Sequence, residues 1–212
     1  MTQKKKTKSW LKRHRSDAYV KKAQKSGLRA RSAFKLTEIN TRFNCIQEGS
    51  SVLELGAAPG GWTQCLASWV GKSGMVVAVD LLPMSSIPNV FVIQGDVNNQ
   101  DVIQFIKEKI VENGRQHVDA VISDMAPNLS GDHARDQAAC EVLWYMVLDH
   151  CKLFLKRGGS MIIKLFHGEA FDSFIRSVRL VFRCANIVKP DASRSGSREV
   201  YLVATDFKGD VK

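Results

Sequence analysis

Apolar residues recur along this chain in short blocks that switch between two periods. Near-continuous apolar runs at 52–55, 75–81, 90–93, 118–122 and 160–166 read as buried parallel strands, since a strand covered on both faces has no polar side to show. Helical spacing fills the intervals. It places Trp62, Cys65, Leu66, Trp69 and Val70 on one face after Gly61, and Val102, Phe105, Ile106 and Ile110 on one face of 99–112. It predicts a long helix over 135–156 that ends before Gly158-Gly159, with Val142, Leu143, Met146, Val147 and Phe154 as its core stripe, and another over 169–183. Upstream, 17–26 and 31–43 read as two short helices parted at Gly27. Strands alternating with helices predict an open parallel sheet covered on both faces. The last two strand segments, 185–188 and 199–205, have no helix between them and predict an antiparallel hairpin at the sheet's edge.

The first strand runs into Gly56-Ala57-Ala58-Pro59-Gly60-Gly61-Trp62. A glycine-rich turn between a strand and a helix is where an open α/β sheet holds a nucleoside-bearing cofactor. The order is G-x-A-P-G-G and not the dinucleotide G-x-G-x-x-G, so Pro59 removes a donor where a pyrophosphate would need one. The turn therefore points first to S-adenosylmethionine and second to a dinucleotide. Reading off the later strand ends gives Asp80, Asp96, Asp124 and Lys164. Asp80 stands where an acid meets ribose hydroxyls, and Asp96 is placed to accept from an adenine amino group. A single such aspartate would be read as a helix cap; three after successive strands favour the cofactor.

Charge changes the picture once it is located. Of the +10 net charge, residues 1–35 carry 13 Lys or Arg against one acid, while the remainder holds 18 against 20. A basic segment containing Lys12, Arg13, Arg29, Arg31 and Lys35, interleaved with Trp10, Tyr19 and Phe34, is an electrostatic footprint for nucleic acid; Lys4 to Lys8 read equally well as a solubilising tail. No apolar run is long enough to span a bilayer and the polar start is no secretory signal, so no membrane partner is expected. Cys45, Cys65, Cys140, Cys151 and Cys184 form no C-x-x-C pair and read as reduced thiols of a cytoplasmic protein. The five histidines lack metal-ligand spacing, so no metal is expected.

The segment Ser123-Asp124-Met125-Ala126-Pro127-Asn128 lacks the Pro-Pro-aromatic pattern expected for methylating a base amino group and the cysteine needed for a pyrimidine carbon. What remains is Asp124 with Lys164 one strand further on. Lys164 is either a general base toward a hydroxyl or a lysine snorkelling at the sheet rim.

Arg29 to Leu36, Leu55 to Trp62, Asp80 to Met84, Gln94 to Asp96, Ser123 to Gly131 and Lys189 to Tyr201 together resemble the FtsJ/RrmJ family of ribosomal RNA ribose 2′-O-methyltransferases, most closely its bacterial heat-shock members. The resemblance covers nearly the whole chain and keeps the motifs in order. It implies a Rossmann-like class I methyltransferase fold with a mostly parallel seven-stranded sheet and an antiparallel C-terminal edge strand. A basic arm with a short helix over 1–30 would precede a methyltransferase domain over 31–212. The family's Lys-Asp-Lys-Glu tetrad falls on Lys35, Asp124, Lys164 and Glu199. Lys164 would accept or ease the loss of a 2′-hydroxyl proton, Asp124 and Glu199 would orient it, and Lys35 would hold the ribose or its phosphate. S-adenosylmethionine would lie against Gly56, Ala57, Pro59, Gly60, Gly61, Trp62, Asp80, Leu81, Asp96, Val97 and Asp124. Trp62 could pack on that cofactor or anchor its own helix, and the resemblance favours the cofactor. Arg194 and Arg198 would join the arm on RNA. The implied substrate is a uridine of 23S rRNA in the 50S subunit, acted on by a monomer; tRNA or another RNA is the alternative substrate. A dinucleotide oxidoreductase and a non-catalytic RNA-binding module are further alternatives, against which the G-x-A-P-G-G turn and the complete tetrad speak.

Overall fold

The computed structural model describes residues 17–128, 130–194 and 196–209. Helices α1 (Ala18–Lys25) and α2 (Ala33–Phe43) precede the sheet. There follow β1 (Ser51–Leu55), α3 (Gly61–Val70), β2 (Met75–Asp80), β3 (Val90–Gln94), α4 (Gln100–Glu112), β4 (Val118–Ser123), α5 (His133–Phe154), β5 (Leu155–Phe166), α6 (Phe171–Val181), β6 (Phe182–Val188) and β7 (Glu199–Phe207). Side chains at the entries of several helices accept the free backbone N–H groups there: Asp17 from Tyr19, Asn99 from Asp101 and Asp132 from Arg135.

The seven strands lie in the order β3-β2-β1-β4-β5-β7-β6, parallel except for β7. The expected Rossmann-like sheet with an antiparallel C-terminal hairpin is present. One detail of order is corrected: the C-terminal strand β7 inserts between β5 and β6, so β6 is the edge strand. Burial explains it, since Tyr201, Leu202, Val203 and Ala204 are buried on both faces inside the sheet, whereas β6 is buried only at its ends, Phe182 and Val188, and exposes Arg183, Cys184, Asn186 and Ile187 between them.

Strand alternation divides the core in two. One face packs Leu53, Val77, Val121, Ile163 and Leu202 against α4, α5 and α6; the other packs Val52, Val76, Ile122, Ile162 and Tyr201 against α2 and α3. Within α5 the stripe differs from expectation: Val142 is 68% exposed, and Trp144, Leu148 and Cys151 take the core positions beside Val147 and Phe154. The helix also ends two residues early. Leu155 already pairs with Val118, and Ser160 resumes the ladder opposite Ala120, so 156–159 bulge out of β5 around Gly158, whose φ is 76°. Likewise α6 stops at Val181 because Phe182 enters the sheet at once and stacks on Phe207, 5.2 Å between ring centres.

After β1 the chain winds outward through β2 and β3; it then returns to place β4 on the other side of β1. The crevice at the carboxyl ends of β1 and β4 is therefore the topological switch point, where sheets of this kind bind ligands. Gly56 and Asp124 stand on its two sides.

Candidate active site

The backbone leaves β1 through a turn fixed from below. Gly56 and Ala57 both donate to Val79 O of the neighbouring strand, and Gly60 donates back to Ala57 O. Gly60 has φ of 99°, a left-handed conformation that a side chain would strain, and it caps α3. A Cβ on Gly56 would lie 2.1 Å from Met125 Cγ, so only glycine lets the loops after β1 and β4 close on each other. The Ala58–Pro59 peptide is cis. Asp80 sits at the tip of β2, with Oδ2 accepting from Ala58 N at 2.8 Å and Oδ1 from Leu82 N at 2.8 Å. Each oxygen keeps a lone pair for a ligand hydroxyl. Leu81 beside it is 68% exposed. Asp96 is exposed and accepts from Asn98 N, while Val97 is buried with its carbonyl 3.0 Å from His150 Nε2. Trp62 is buried; its indole N–H donates to Ser32 O at 2.8 Å, and the residue lines a cavity of about 20 Å³ together with Glu54, Gly56 and Asp124.

The four tetrad positions meet across this crevice. Lys35, from α2, is buried and its Nζ lies 2.5 Å from Glu199 Oε1 at the start of β7. Lys164, from β5, is buried as well; its Nζ donates to the backbone oxygen of Asp124 and lies 3.2 Å from Asp124 Oδ1. Register explains the gathering: Lys164 pairs with Tyr201 across β5 and β7, and Glu199 lies two residues before Tyr201 on the same strand, so Lys164, Glu199 and Tyr201 come together at the strand ends beside α2. The two carboxylates divide their work differently from the resemblance, which set both on Lys164. Asp124 holds Lys164, and Glu199 holds Lys35. Burial pushes the Glu199 carboxyl up, but the bond and charge of Lys35, with Ser193 and the more distant charge of Lys164, outweigh it and hold the group below its ordinary value.

Residues 28–207 match the FtsJ-like methyltransferases over most of the chain. The chain belongs to that family.

Solved structures agree in fold. A Plasmodium falciparum ribosomal RNA methyltransferase superposes with a TM-score of 0.75 at 24% identity, covering 86% of this chain and 100% of that one. An rRNA methylase from Clostridium thermocellum gives 0.57 at 16%, covering 82% and 97%. Aeropyrum pernix fibrillarin, solved with natively bound S-adenosyl-L-methionine, gives 0.53 at 18%, covering 76% and 68%.

Two residues of this FtsJ-like methyltransferase site escaped the sequence reading. Tyr201 donates its hydroxyl to Asp124 Oδ1 at 2.6 Å, and burial, with the negative charges of Asp124 and Glu199, pushes that phenol well up. Its position two residues after Glu199, on the same strand face, was the available signal. Glu54 is buried in β1 and accepts from Thr63 Oγ1 at 2.6 Å; burial, helped by Asp124 and Asp80, raises it to about 8 against the opposing Thr63 bond. A glutamate inside an apolar strand was itself the anomaly.

The expected RNA residues fall into three groups. Lys12 and Arg13 lie outside the described residues. Arg29 and Arg31 are engaged within the chain: Arg29 donates to Ser85 O and Ser86 O across the turn, and Arg31 bonds Asp17 and Ala192 O. Arg194 is half-exposed beside Asp17, and Arg198 is exposed.

Proposed function

We propose that this methyltransferase transfers a methyl group to the ribose 2′-oxygen of a uridine in 23S ribosomal RNA, presented in the 50S subunit, and that it works in the cytoplasm as a monomer. S-adenosylmethionine is the methyl donor. The observation that carries the reading is the pair of buried lysines at the switch point, each held by its own carboxylate beside the glycine turn.

The residues suit that donor. Asp80 has spare lone pairs that would take ribose hydroxyls, Leu81 and Val97 would give apolar contact to adenine, Asp96 would accept from its amino group, and Gly56 to Trp62 would allow close approach. The bound cofactor supplies a methyl group activated by a sulfonium, and the protein has to position the acceptor behind it. Asp124 fixes Lys164 through both its carbonyl and its carboxylate, and Tyr201 fixes Asp124 in turn. Lys164 then takes, or electrostatically eases the loss of, the 2′-hydroxyl proton as the oxygen acquires the methyl. Lys35, steered by Glu199, holds the ribose or its phosphate. Buried lysines lose little of their field to solvent, which favours a developing alkoxide. We read residues 1–30 as a basic arm that adds phosphate contacts, with Arg194 and Arg198 beside the site, and 31–212 as the catalytic domain.

Tritiated-methyl transfer to large subunits lacking the modification tests this. Lys164→Ala is expected to abolish transfer while S-adenosylmethionine still binds. Equal loss of both would sink the role given to Lys164, and no transfer by the unaltered protein would sink the reading.

A further inference from the structure

Beside the Lys164 strand end lies a second cavity of about 240 Å³, which the methyl-transfer residues do not occupy. Gln137 and Cys140 of α5, Phe166 and His167 at the end of β5, and Arg198 just before β7 line it, with His133 at the mouth of α5. It adjoins the tetrad. Phe166 pairs with Glu199 across the sheet, and Lys164 Nζ lies 6.0 Å from the centre of the Phe166 ring.

Three observations describe what would fill it. First, Gln137 Nε2 is buried and has no hydrogen-bond partner among the described residues. A buried N–H without an acceptor is costly enough to call for one. The amide packs against Gly168, where a Cβ would come within 1.7 Å of Oε1, so the glycine there makes room for it. Second, the lining carries several donors: the Gln137 amide, the Arg198 guanidinium and a ring N–H from each of His133 and His167. Its one carboxylate, Asp136, is already occupied by Ser130 N at 2.6 Å, Ser130 Oγ at 2.7 Å and Gly131 N at 3.1 Å. Third, Phe166 offers a ring face and Cys140 an apolar thiol.

We propose that this cavity receives the base of the methylated nucleotide, a uracil unstacked from its RNA, and that Gln137 reads its Watson–Crick edge. Uracil presents two carbonyl oxygens and one N–H. The donors meet the oxygens and Gln137 Oε1 meets the N–H. Cytosine would bring an amino group to the position where uracil presents a carbonyl, opposite the Arg198 guanidinium and the Gln137 N–H. Unstacked bases laid on aromatic side chains and read along that edge are the usual mode of sequence-specific RNA recognition. The proposal rests on the reading of the neighbouring site as an RNA 2′-O-methyltransferase.

The test compares methyl-deficient large subunits carrying uridine or cytidine at the methylated position, with S-adenosylmethionine affinity measured alongside. The unaltered protein is expected to prefer uridine by about tenfold or more in kcat/KM. Gln137→Leu should lower kcat/KM on uridine by about tenfold, and Gln137→Glu, which replaces a donor by an acceptor, should shrink or invert the preference, both with cofactor affinity unchanged. An unchanged preference in Gln137→Glu overturns the proposal. If a variant loses cofactor affinity, 3-methyluridine in the substrate of the unaltered protein takes its place: transfer should fall by about tenfold or more, and undiminished transfer overturns the proposal. Absence of transfer to either substrate would instead mark failure of the functional reading itself.

Discussion

Glu54→Gln isolates the least expected group in the site. Glu54 is 2% exposed in the middle of β1, and its carboxyl is raised from 4.5 to about 8, first by burial and then by the charges of Asp124 and Asp80. At neutral pH the folded protein therefore keeps a proton there that the unfolded chain has lost. Between pH 4.5 and 8 the native state binds more protons, so stability falls as pH rises, by about 1.4 kcal/mol per pH unit. Below 4.5 both states are protonated and the dependence vanishes; above 8 the full penalty is in place. At pH 7 the accumulated cost is about 3 kcal/mol. Glutamine keeps the shape and can still meet the Thr63 hydroxyl, but it cannot titrate. Urea denaturation of both proteins from pH 4.5 to 8 should show the variant gaining on the wild type as pH rises, with a lead of about 3 kcal/mol at pH 7. A gap that stays constant with pH, or a variant that is the less stable at pH 7, would refute the reasoning.

Three further substitutions probe the rest of the site. Tyr201→Phe removes the donor to Asp124 Oδ1, and it is expected to cost about 1–3 kcal/mol of stability and to lower kcat more than it raises the KM for RNA; an unaltered kcat would contradict the role given to the hydroxyl. Arg31→Ala leaves Ala192 O without its guanidinium and Asp17 with only the more exposed Arg194, so the thermal midpoint should drop by several degrees, whereas an unchanged midpoint would mean that the side chain is free to serve RNA. Removal of residues 1–16, with seven Lys or Arg, should weaken RNA binding more at low salt than at high; equal loss at every salt concentration would make the arm structural.

The parts of the site that lie along one strand or turn were legible in the sequence. The run 52–62 carries its strand, its glycine turn and its helix within one short stretch, and Asp80, Asp96 and Asp124 follow from reading strand ends. What needed three dimensions was pairing. Nothing local says that β7 inserts beside β5, and only that insertion brings Glu199 and Tyr201 to Lys164 and Asp124. Through it Glu199 meets Lys35 and not Lys164, a division that the tetrad's order along the chain cannot express. Charge counting likewise could not show that Arg29 and Arg31 bond within the chain, because a guanidinium bound to a backbone carbonyl looks the same in sequence as a free one. The bulge at 156–159 hid for a related reason: two adjacent glycines signal a break, and here the strand passes through it.

The central claim is that the methyl group goes to a ribose hydroxyl of a 23S rRNA uridine. Ribose-methylation mapping of ribosomal and transfer RNA from cells with and without the gene tests it directly. The expected result is the loss of one 2′-O-methyl group, at a uridine of 23S rRNA, with every other site unchanged. An unaltered rRNA map, with or without a change in tRNA, would contradict it.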